Sequence, residues 1–148
     1  MNTFKNVFRI GMFILMMMSF QSVKAQQADD IIGIWELKDK TSKMEIFKKE
    51  GKYFGKLLYG KEVVNEDGTS KIDTKNPDAK LRGQEIIGSI YIKNLEFDED
   101  EWDEGKVYDS NTGKDWKCYV EIKKGELHFT GYMGVKWLGK TYVYKRIK

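Results

Sequence analysis

Apolar and polar positions alternate with a period of two along most of this chain, in short runs. Residues 34–38, 44–48, 53–59, 87–93, 105–109, 115–123, 126–133 and 140–147 each mix β-branched and aromatic residues with polar ones. Turn-forming clusters separate the runs: DKTSK, KEGK, NEDG, DSNTG, KKGE and the stretch from Gly134 to Gly139. No stretch sustains a helical period beyond about two turns. Short strands joined mostly by tight turns describe an antiparallel up-and-down meander, and closure into a barrel removes its exposed edges. The pattern therefore predicts an all-β fold, a single barrel of about eight strands. Two connections are longer. Glu62 to Arg82 is polar and holds the only proline, Pro77, while Glu96 to Gly105 is acidic.

The firmest register lies in WKCYVEIKKGELHFTGYM. A two-residue turn at Lys124-Gly125 uses the positive φ that glycine takes without cost. Lys123 then faces Glu126, Ile122 faces Leu127, Glu121 faces His128 and Val120 faces Phe129. One face carries Trp116, Cys118, Val120 and Ile122 against Leu127, Phe129, Gly131 and Met133. The other carries Lys117, Tyr119 and Glu121 against His128, Thr130 and Tyr132. A slip of one residue would turn the apolar set to solvent, so burial specifies the pairing.

Upstream, KVYD and KDWKC form the arms of a second hairpin with SNTG at its tip. Asp109, Asn111 and Asp115 around Gly113 also suggest a calcium loop. An EF-hand needs an oxygen ligand at position 5, glycine at 6 and glutamate at 12. Counted from Asp109, those places hold Gly113, Lys114 and Val120, and no helices flank them. The turn reading is the better one, since Asp and Asn bond their own backbone in turns and Gly takes the left-handed position.

The N-terminus follows another logic. Lys5 and Arg9 precede an apolar run from Ile10 to Phe20, and Val23-Lys24-Ala25 presents a small-x-small cleavage pattern ahead of Gln26. This reads as a secretory signal over residues 1–25; the run is shorter than the roughly 20 residues of a membrane span. The mature chain is then a single domain, 26–148, without a membrane span, located in the periplasm or secreted. Removing Lys5, Arg9 and Lys24 leaves 23 basic against 23 acidic residues. Nucleic-acid capture rests on a basic excess, and none remains. Cys118 is the single cysteine, so no internal disulfide can form and burial must hold the fold.

Chemistry-bearing residues are sparse. Seven acids fall between Glu96 and Glu104, a set that reads either as a solvated hairpin tip or as a weak calcium site if the backbone converges them. His128, the only histidine, falls on the polar face beside Glu121. Cys118 is on the opposite face, roughly 10 Å away by strand rise, so the two cannot form a nucleophile–base pair. One histidine and one cysteine are too few for a zinc site. No phosphate-binding glycine motif is present. No catalytic residue, metal ligand or cofactor is assigned.

With the strands placed, KNPDAKLRGQEIIG, GKVYDSNTGKDWKC, LHFTGYMG and LGKTYVYKR together resemble the bacterial exported family named domain of unknown function 2147. The matching positions are Asn76, Pro77, Asp78, Arg82, Ile87, Gly88, Gly105, Lys106, Tyr108, Asp109, Gly113, Lys114, Lys117, Gly131, Tyr132, Gly134 and Gly139. Ser110 stands where that family has proline, Trp116 where it has tyrosine, and Gln84-Glu85 replaces a more basic, proline-containing pair. The resemblance implies an exported bacterial domain and carries no established activity. Gly33-Ile34-Trp35 is also similar to the Gly-x-Trp that opens lipocalin-like barrels, in which a basic residue of the last strand packs over the indole. Arg146 is the matching residue.

A small barrel is either packed solid or holds one apolar ligand, and the aromatic residues of this chain could fill a lumen or line it. The leading functional reading is a non-enzymatic module that binds a small apolar or amphipathic molecule, or a cell-envelope partner. Trp35, Leu57, Ile90, Trp116, Val120, Leu127 and Phe129 are its lumen candidates, with the loop from Glu62 to Arg82 governing one barrel end. A filled structural or protein-interaction domain is the second reading, and an enzyme acting on envelope polymers through acidic residues the third. A lumen below roughly 100 Å³ would exclude a lipid-sized ligand.

Overall fold

The computed structural model describes residues 27–148; the expected signal segment, 1–25, lies outside the described residues. A 3₁₀ turn, Ala28–Ile31, precedes eight strands: β1 (Gly33–Leu37), β2 (Ser42–Lys49), β3 (Lys52–Gly60), β4 (Ile90–Asp98), β5 (Glu101–Asp109), β6 (Lys114–Lys123), β7 (Glu126–Tyr132) and β8 (Lys140–Arg146). Each pairs antiparallel with the next, and β1 pairs with β8, closing the barrel. No helix among the described residues is long and apolar enough to cross a membrane.

The β6–β7 register is the one expected, from Lys123↔Glu126 through Val120↔Phe129 to Cys118↔Gly131. Both central residues of its turn take positive φ, Lys124 at 54° and Gly125 at 78°. Such turns match the twist of the strands they join. The β5–β6 hairpin pairs Asp109 with Lys114 and Val107 with Trp116. At its tip the Asp109 carboxylate accepts bonds from the Asn111 amide (2.9 Å) and the Thr112 hydroxyl (2.7 Å). Its oxygens thus serve the turn.

Two expected boundaries move. Glu96 to Gly105 is strand rather than connection, with β4 and β5 joined only through Glu99-Asp100. Phe97 faces Trp102 across the pair, their rings 4.9 Å apart, and Trp102 is fully buried. The strand signal sits on these two aromatics, and the surrounding acids mask it. β4 in turn begins at Ile90 rather than near Ile87.

Bulges re-aim several side chains. On β3, moving from Gly55 to Lys56 shifts the β4 partner from Ile92 to Ile90, leaving Tyr91 as an extra residue. Ile92 is fully buried, the Tyr91 hydroxyl approaches Met44 Sδ at 3.2 Å, and Ile90 is turned to the outer face. Another bulge lies between Trp102 and Gly105 on β5. Both residues face the core, and a Cβ on Gly105 would meet Cys118 Sγ at 2.8 Å.

The core is concentrated toward the end where β1 begins and β8 finishes. Trp35, Met44, Ile46, Tyr53, Ile92, Leu95, Trp102, Val120 and Leu127 form one buried cluster there, and Ile31 of the 3₁₀ turn plugs it. The plug is fastened by the aromatics beneath it. Trp35 Nε1 donates to the Ile31 carbonyl (2.8 Å) and Trp102 Nε1 to that of Ala28 (2.9 Å). Buried indoles need such partners. Arg146 lies over the Trp35 ring at 4.2 Å and donates to the carbonyls of Ile32 and Asp30. The Gly-x-Trp and last-strand cation therefore meet as expected. Gly33 is required because its φ is 147° and a Cβ there would run into the Arg146 guanidinium and the Lys148 carbonyl.

Candidate functional site: the open end of the barrel

The opposite end carries the β1–β2 loop, the long segment between β3 and β4, the 110–113 turn and the β7–β8 loop. The long segment is ordered by its own hydrogen bonds, including bridges Val64↔Ser70 and Ile72↔Glu85. Val63 and Ile86 bury against Leu57 of β3, roofing the β3–β4 side of the opening. Asp73, buried in this segment, accepts from the Tyr108 hydroxyl and from Asn76 Nδ2, each at 2.8 Å. Arg82 Nε donates to the Asn76 carbonyl at 2.6 Å. Desolvation, then the Asp73 carboxylate that takes its hydrogen bond, push the Tyr108 phenol up to about 12. Gly113 admits the Lys75 carbonyl where a side chain would clash. The Asn-Pro-Asp, Arg82, Tyr108 and Gly113 positions thus fasten the long segment onto the β5–β6 hairpin.

The β5–β8 side is left uncovered. There a cavity of about 520 Å³ opens between the strands and the β7–β8 loop. Val107, Trp116, Phe129 and Tyr142 form its walls, Met133 and Leu138 its lip, and Asp109 and Lys140 its polar edge. Gly131 sits on the wall with no side chain; a Cβ there would reach only ordinary contact, 3.8 Å from Val107. The cavity is well above the size that excludes a lipid-like ligand and falls within the range of small-molecule sites. Its surface is mainly apolar. The Lys140 ammonium lies 4.9 Å from the Tyr142 ring centroid.

The seven lumen candidates divide. Trp116 and Phe129 line the cavity. Trp35, Val120 and Leu127 belong to the filled core, and Leu57 lies under the long segment. Ile90 is a correction: it is 43% exposed on the outer face, because the Tyr91 bulge reverses the alternation before it reaches that position. Met133 also leaves the expected inner face, since β7 ends at Tyr132 and Met133 stands on the rim. Val107, Gly131 and Tyr142 are legible as inward by parity from Trp116 and Phe129, but nothing in the alternation marks which inward positions border empty space.

Beyond Asp109 and Lys140 at its edge, the charged groups, the histidine and the cysteine lie away from the cavity. His128 pairs with Glu121 on one side and Val143 on the other. Cys118 is fully buried, and desolvation followed by the nearby Asp103 charge pushes its thiol up to about 12. Acids of the β4–β5 hairpin are taken up by lysines: Glu96 by Lys52, and Glu101 and Asp103 by Lys136.

A family model described as uncharacterized protein conserved in bacteria, domain of unknown function 2147, matches residues 33–146. The chain belongs to this family. The matched span runs from the start of β1 to the end of β8, so it covers the whole barrel of this domain 2147 protein. Among solved structures it is similar to HP1028 from Helicobacter pylori, described as belonging to the lipocalin family. The TM-score is 0.66 at 26% identity, covering 80% of this chain and 83% of that one. No curated protein matches it significantly. The fold is a lipocalin-like barrel.

Proposed function

We propose that this protein is an exported, non-enzymatic lipocalin-like module that binds a small apolar or amphipathic molecule at the open end of its barrel. The observation that carries this reading is the 520 Å³ cavity, walled by Val107, Trp116, Phe129 and Tyr142 and continuous with solvent. Burying an apolar tail against these residues supplies the driving force, roughly 25 cal/mol for each Å² removed from water. Lys140 and Asp109 at the edge suit a polar head that stays at the mouth. The leader from Met1 to Ala25 supports a periplasmic or secreted location, where such a ligand would belong to the cell envelope. The filled core at the other end favours the second reading, a structural domain, only for that half of the barrel.

Native mass spectrometry of protein purified from its own host tests the proposal. A reproducible small-molecule adduct is expected. In parallel, the amphipathic dye 1-anilinonaphthalene-8-sulfonate should bind saturably, and Gly131→Leu should weaken it at least about tenfold by filling the cavity. Dye binding that is unchanged in Gly131→Leu, together with no adduct, would remove the reading.

A further inference from the structure

The loop between β7 and β8 displays Met133, Val135, Trp137 and Leu138 within six consecutive residues. Trp137 is 81% exposed and Leu138 64%. Single exposed apolar residues need no explanation, but a contiguous group that includes a tryptophan does. The loop is held in this posture. Lys136 turns back to the barrel wall, where its ammonium pairs with Glu101 at 2.7 Å and with Asp103 and lies 4.9 Å from the Tyr119 ring centroid. With Lys136 anchored inward, Trp137 points away from the protein and Leu138 stands on the cavity lip.

Three observations identify what would cover them. Tryptophan, with an apolar body and one N–H, is enriched at the membrane–water interface. Of the exposed group's neighbours, Lys136 is paired with Glu101 and Asp103, and Lys140 stands at the cavity edge with Asp109, so the loop offers an apolar tip with no uncompensated charge. An apolar tip of this kind enters the headgroup–acyl boundary of a bilayer without burying an unpaired charge. Finally, Met133 and Leu138 belong both to the exposed group and to the lip of the cavity. Covering the loop therefore brings the cavity mouth to the covering surface.

We propose that the Met133–Leu138 loop docks the protein on the interfacial region of a lipid bilayer. Trp137 and Leu138 enter the headgroup–acyl boundary, and the cavity opens toward the membrane. This goes beyond the ligand-binding reading and is tested separately from it.

The test is co-sedimentation of the purified protein with vesicles of phosphatidylethanolamine containing a minority of phosphatidylglycerol, with and without brominated acyl chains. The wild type should sediment with the vesicles, and its tryptophan fluorescence should be quenched by the brominated lipid. Trp137→Ser combined with Leu138→Ser should lower the bound fraction at least about tenfold and abolish the quenching. Its denaturation midpoint should shift little, because Trp137 is almost fully exposed and Leu138 is mostly so. Absence of wild-type sedimentation, or equal sedimentation of the double variant, would overturn the proposal. So would a lipid-independent dimer that the same variant dissolves, since the loop would then serve a second copy of the chain.

Discussion

The two ends of this barrel are made from the same alternating strands and finished in opposite ways. At one end a 3₁₀ turn drops Ile31 into the lumen, and two indoles and a guanidinium bind the carbonyls around it. At the other, a roof of Val63 and Ile86 covers the β3–β4 side of the opening while apolar walls stand unfilled beside it. The chemistry differs less than the geometry: tryptophans serve at both ends. What separates Trp35 from Trp116 is whether a neighbouring segment supplies backbone acceptors and a plug. One end is thereby given over to stability, and the other retains a space with no structural duty.

Substitution at matched positions gives the widest contrast. Trp35→Ala should cost about 3–5 kcal/mol, the range for a large aromatic in a filled core, while Trp116→Ala should cost no more than about 1–2 kcal/mol. Urea denaturation of both variants checks this. Equal losses would mean that the cavity wall matters to stability as much as the plug does.

Glycines provide a second matched pair. Gly105→Ala forces a methyl against Leu95 and Cys118 and should destabilise by about 1–3 kcal/mol. Gly131→Ala meets only ordinary contacts and should lie within about 0.5 kcal/mol of wild type. Thermal melts of the two would sharpen the boundary between the filled and open halves.

Tyr108→Phe should cost about 1 kcal/mol by removing the bond to Asp73, and should expose the 61–89 segment to proteolysis while the strands remain protected. The pH dependence has a definite sign. The folded phenol titrates above the unfolded one, so its contribution is complete below about 10 and disappears as pH rises toward about 12. Hydrogen exchange of the segment across that window should follow it.

The smallest effect belongs to Asp29, which accepts from Lys48 and Tyr53 at the plug. The Lys48 bond first, then Tyr53, lower its pKa. Its contribution is therefore present above the ordinary carboxylate range and lost as pH falls through it. Asp29→Asn should lower stability slightly near neutrality and converge with wild type in acid, flattening the acid limb of the stability curve.

Much of this contrast can be read from the chain, but unevenly. The β6–β7 register and the Trp35–Arg146 contact are legible because each depends on alternation or on a short local pattern. Ile90 is misplaced by the pattern because alternation counts residues, and a bulge inserts one without altering composition. Trp102 is hidden because seven acids around it give the average of a solvated loop, whereas burial is decided by the one side chain that faces in. Ile31 gives no signal, since its turn is held partly by the Trp102 indole, a donor far along the chain. The cavity is equally silent: an inward aromatic looks the same in sequence whether its neighbour is another side chain or empty space.

The pairing of β1 with β8 sets a condition on how the molecule is made. Residues at the beginning of the domain wait for partners more than a hundred positions later, as in the 114-residue separation between Ile32 and Arg146. Contacts of such long range are slow to form. Until the last strand arrives, the first has an unpaired edge and Trp35 lacks its covering cation. A polypeptide with this wiring remains an open sheet until its final strand is in hand.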